Sequence, residues 1–151
     1  MRTHSKLDIA REQLRTAVML YCTGRDRFSS ITLAAAADVI LSQLLLNEGK
    51  ENFSDLIMKK DAEVTGAMPE RAAYGRAVND MLMINAMKHM NPGDDDYLEM
   101  DVRISGLATV SKAVSNYVKL CGYDADFVEV LRYWATVFMP RGLDSGGDPI
   151  Q

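Results

Sequence analysis

Apolar residues recur three and four positions apart along most of the chain, and strand-like alternation is nowhere sustained. Leu7, Ala10, Leu14, Ala17, Val18 and Tyr21 form one stripe, with Arg11, Glu12, Gln13 and Arg15 opposite it. Ser5 and Asp8 make an S-x-x-D start signal, and Gly24 supplies a stop, which predicts a half-buried first helix. A second helix is expected from about Phe28 to Asn47, ended by Gly49. It is apolar nearly all round, and its run Ala34-Ala35-Ala36-Ala37 permits close approach by a neighbour.

A weaker helix is expected over 51–64, with Gly66 and Pro69 marking a break and a fresh start. The next pattern reads as one continuous helix over 69–90, apolar on two faces: Tyr74, Ala77, Val78, Met81 and Leu82 on one, Ala73, Ile84, Met87 and Met90 on the other. Asn85 and His89 close the first of these stripes. Pro92-Gly93 and the acidic loop Asp94-Asp95-Asp96 lead to Asp101. Leu107 to Cys121 predicts an amphipathic helix stopped by Gly122, and Phe127 to Phe138 a last one ended by Pro140. The expected fold is all-α, a single-domain bundle of five to six helices over 1–140, followed by a disordered Gly/Asp/Ser-rich tail over 141–151.

At 151 residues the chain is long enough to bury a core without disulfides or metals. Its formal charge of −4 argues against a strongly basic nucleic-acid footprint, although a local patch is compatible with it. Cys22 and Cys121 are not a CxxC pair and are expected as reduced, buried thiols. The first residues carry no apolar signal core, and no apolar run approaches the roughly 18 residues needed to span a bilayer. A cytoplasmic protein without membrane attachment is expected.

Chemistry concentrates between Ile84 and Asp96. Asn85 and His89 stand one helical turn apart, so Asn85 could orient the imidazole. His89 could act as a cation at a helix C-terminus, as a neutral partner for a buried polar group, or as an acid/base. With Asp94, Asp95 and Asp96 it is also a weak metal-site candidate, though the spacing matches no dedicated motif. Asp38, in the middle of the apolar second helix, must be hydrogen-bonded or charge-paired, with Arg or His on a neighbouring helix as the expected partner. Walker, GxGxxG, GxSxG and HExxH signatures are absent, and no cofactor is expected.

The order of Ala10-Arg11-Glu12-Gln13-Leu14, the turn Gly24-Arg25-Asp26, the alanine-rich Ile31–Ala37 helix and Asn85-Ala86-Met87-Lys88-His89 resembles the HEPN superfamily of small helical bundles over roughly residues 5 to 120. The resemblance implies a homodimer, and in active members a metal-independent ribonuclease with an Arg and a later His separated by four to six residues. Here those positions hold Ile84, Met83 and Leu82. The expectation is therefore a non-catalytic homodimeric module, paired through the helices 28–47 and 69–90, binding a protein, nucleotide or RNA partner around Asn85, His89, Asp38 and Arg76. The alternatives are a ribonuclease using His89 with a non-standard Arg such as Arg76 or Arg71, and a small-ligand or metal-binding helical protein.

Overall fold

The computed structural model describes residues 1–139. The described residues form an all-α bundle of seven helices: α1 (Lys6–Thr23), α2 (Arg27–Asn47), α3 (Phe53–Thr65), α4 (Arg71–Met81), α5 (Ile84–Lys88), α6 (Val102–Cys121) and α7 (Asp126–Phe138). Pro140 and the tail expected to be disordered lie outside the described residues.

Local chemistry explains most boundaries. The Ser5 hydroxyl accepts the Asp8 N–H at 2.9 Å, and Gly24 closes α1 at φ +68°. Asp26 caps α2, so only three residues separate the two helices and they fold back as a helical hairpin. Asn52 and Asp55 exchange side-chain and backbone bonds in a capping box at the start of α3. Glu70 caps α4 by accepting the N–H groups of Ala72 and Ala73, so Pro69 precedes the cap and is not in the first turn. Asp101 caps α6 at Val102, five residues before the expected start at Leu107.

The main core lies among α1, α2, α6 and α7. Leu14, Val18, Leu41, Val110 and Phe127 are fully buried there, and Tyr21 meets Trp134 edge-on with ring centroids 5.1 Å apart. The Tyr21 hydroxyl donates to the Arg103 carbonyl at 2.9 Å, and its ring lies over Gly106, where a side chain on α6 would collide with it. At 21 residues α2 has the length and apolar composition of a membrane-crossing helix, contrary to the expectation that no stretch would reach them. In this fold it is the central core helix, with Ile31, Ala34, Ala37 and Leu41 wholly buried.

The continuous helix expected over 69–90 is two helices. Met83, at φ +61°, breaks it between α4 and α5, which raises the count to seven. Burial supplies the reason. Leu82 and Ile84 would point roughly 200° apart on an unbroken helix. The left-handed residue between them lets both enter a second cluster with Ile31 and Ala35 of α2. That burial offsets a left-handed conformation costing about 1–2 kcal/mol for a non-glycine residue.

Two polar depressions separated by a short helix

The break decides where the candidate residues go. On α5, Ile84 and Lys88 face one depression, while Asn85 and His89, one position further on, face another. The second is open, about 740 Å³, and its wall also includes Asp94, Asp95 and Asp96. Asn85 does not orient the imidazole: its Nδ2 reaches back across the break to Asp80 Oδ1 at 2.6 Å. His89 is exposed and caps α5 in an extended conformation. Its backbone N–H bonds the Asn85 carbonyl at 3.1 Å, and among the described residues its ring has no hydrogen-bond or ion-pair partner. Asp94 accepts from the N–H and Nδ2 of Asn91, and Asp95 accepts from the Tyr97 N–H, so both carboxylates build the turn. Among the described residues, no three His, Cys, Asp or Glu side chains converge as a metal cage. Arg76 is exposed on α4, and the break puts it on a different helix from His89.

The first depression is a cleft of about 630 Å³ between α2, α3, α4, α5 and α6. Asp38 sits on its floor, 6% exposed. Its partner is neither Arg nor His: Lys112 Nζ of α6 donates to Oδ2 at 2.6 Å, and Asn116 Nδ2 donates to Oδ1 at 2.7 Å. Asn116 is completely buried. It also donates to Ser42 Oγ at 3.2 Å, and its Oδ1 accepts the Phe53 N–H at 2.7 Å. One amide thus ties α2, α6 and the first turn of α3 together, and it satisfies an N–H that a helix start would otherwise leave unpaired.

A second ion pair forms the opposite wall. Arg71 Nε and Nη2 grip both oxygens of Asp55 at 2.7 and 2.8 Å, clamping α4 to α3 in a bidentate fork. Glu70, at the rim, has its carboxyl held below the usual glutamate range by the Ala72 and Ala73 N–H groups it caps. Tyr74 donates to Asp61, and this bond, with a smaller effect of burial, pushes the phenol up to about 12.

Of the sequence candidates, the fold thus places Asn85 and His89 together, separates Asp38 from them, and leaves Arg76 outside both depressions. Lys112, Asn116 and the Asp55–Arg71 pair were missed. Asp55 gave one signal, since Asn52-x-x-Asp55 is a capping-box spacing. The cysteines differ from expectation too: Cys121 is exposed and Cys22 half-buried, both as free thiols. Burial pushes the Cys22 thiol up to about 11.

Comparison with family models, curated proteins and solved structures finds no match for this chain.

Proposed function

We propose that this chain is a non-catalytic, HEPN-like binding module that works as a cytoplasmic homodimer and takes its ligand in the Asp38–Lys112 cleft rather than over His89. The contrast between the two depressions carries the reading. An acid/base needs a partner that sets its protonation and an electrophilic group beside it. Among the described residues His89 has no acceptor for its ring, and the sequence has no Arg at the family spacing. The cleft, in contrast, is held by a buried ion pair and a fully bonded amide, a rigid wall of the kind a binding site requires. Support for the dimer comes from Phe28 of α2, which is 56% exposed and lines neither the cleft nor the slot beside it.

The direct test is incubation with labelled single-stranded RNA in the presence of a chelator. The RNA should stay intact with wild type and with His89→Ala alike. Cleavage by wild type that is lost in His89→Ala would overturn the non-catalytic reading. Light scattering should give twice the 16.8 kDa chain mass, and Phe28→Glu should halve it. A wild-type monomer would remove the homodimer.

A further inference from the structure

Beside the cleft lies a narrower slot of about 350 Å³ between α3, α4 and α6. Its sides are Phe53 and Ile57 of α3, Val78 and Met81 of α4, Leu82 and Ala108. Helix α4 turns Tyr74, Ala77, Val78 and Met81 toward this slot at helical spacing, yet none of its residues is buried. An apolar stripe that faces its neighbours normally closes against them. Here it stops short, although the Arg71–Asp55 clamp fixes one end of the helix and Leu82 the other. Ser54, Tyr74 and Lys112 line both the slot and the polar cleft, so the two spaces meet along the Lys112 side chain.

The polar end has a definite preference. Three cations, Arg71, Lys88 and Lys112, and three carboxylates, Asp38, Asp55 and Glu70, line the cleft. The carboxylates are already engaged: Asp38 by Lys112 and Asn116, Asp55 by Arg71 and its own capping box, Glu70 by two backbone N–H groups. The cations are not saturated. Lys112 gives one of its three hydrogens to Asp38, and Arg71 gives Nε and Nη2 to Asp55 and keeps Nη1. Each carboxylate oxygen in the cleft thus already accepts a bond, while N–H donors remain free on Lys112 and Arg71 among the described residues, which suits an anionic acceptor. Cations and carboxylates are equal in number in the cleft, and Asp61 on the slot wall, engaged by Tyr74, adds a fourth carboxylate, so a monoanion is better balanced than a phosphate dianion.

We propose that the joined slot and cleft bind a small amphipathic carboxylate, its alkyl chain or single ring between α3 and α4 and its carboxylate at Lys112 with Arg71 and Lys88 nearby. The slot is near the lower end of the roughly 300–1,000 Å³ usual for small-molecule sites, which suits a short chain and not a large cofactor. This rests on the cleft being the ligand site.

Calorimetric titration of the full chain with octanoate tests it. Octanoate should bind saturably, with a dissociation constant on the order of 100 µM. Octanamide, of equal length but uncharged, should bind at least about tenfold more weakly, as should acetate, which lacks the chain. Ala77→Phe, at an exposed position on α4, should fill the slot and weaken octanoate at least about tenfold while leaving the fold intact. The pair Asp38→Asn with Lys112→Met, which removes both charges, should weaken it comparably. Equal binding of octanoate and octanamide, or unchanged binding by Ala77→Phe, would overturn the proposal. So would a fall in solution mass on Ala77→Phe, because a second copy would then occupy the slot. Absent octanoate binding with RNA still uncut removes this ligand class alone, whereas His89-dependent cleavage removes the non-catalytic reading.

Discussion

Replacing Lys112 by methionine should expose how strongly the cleft floor depends on one ion pair. The Lys112 and Asp38 side chains are 11% and 9% exposed and 2.6 Å apart. Removing the ammonium leaves a carboxylate on the wall of the core with Asn116 as its remaining donor. Breaking a buried pair from one side typically costs about 3–5 kcal/mol, and the opening of this pair onto a cleft places the expected loss near about 3 kcal/mol. In a chain of this size that lowers the melting temperature by roughly 6–12 °C. Asp38→Asn with Lys112→Met removes the stranded charge and keeps an acceptor for Asn116, so the double variant should return to within about 1 kcal/mol of wild type. Urea unfolding of wild type, both singles and the double closes the cycle, with a coupling of about 2 kcal/mol or more expected. A loss below about 0.5 kcal/mol for Lys112→Met, as at an ordinary surface position, would refute the reasoning.

Gly106→Ala would set a Cβ 2.8 Å from Tyr21 Cε2, on a ring pinned by its hydroxyl bond and by Trp134, so a destabilisation of about 1–3 kcal/mol should appear in urea unfolding. Met83→Gly relieves a positive φ and should stabilise by up to about 1 kcal/mol, whereas a loss would show that Met83 contributes packing that outweighs its strain. Tyr74 is raised by its bond to Asp61, so the stability it contributes is complete below the ordinary tyrosine value of about 10 and is lost as pH rises through about 12. Phenolate absorbance should lose its highest-pH step in Tyr74→Phe, and that step should move down in Asp61→Asn. A thiol reagent at neutral pH should label exposed Cys121 well before Cys22, whose thiol is raised to about 11 by burial.

Much of this fold is written locally. The caps at Ser5 and Gly24 and the apolar stripes of α1, α2, α6 and α7 depend on residues within a turn or two of one another. The break at Met83 was not legible because neither glycine nor proline marks it. Its cause is tertiary, the simultaneous burial of Leu82 and Ile84 against Ile31 and Ala35. Asp38 announced that it needed a partner, but the sequence does not say which α6 residue comes opposite it, and Lys112 is 74 positions away. In the sequence Arg71 offers only a stand-in catalytic Arg for His89, and its pairing with Asp55 is not legible because it depends on how α3 and α4 turn toward each other. His89 drew attention through its spacing from Asn85 and the aspartates that follow, and spacing along the chain does not say whether a ring meets a partner or solvent.

Amide-resolved mapping of octanoate on the uniformly labelled chain tests most directly whether the Asp38–Lys112 cleft, and not the His89 depression, is the working site. Saturable shifts should centre on Ser54, Tyr74, Val78 and Lys112, with Asn85 and His89 little changed. Shifts confined to residues 85–98 would contradict the account, whereas none at all would remove this ligand class.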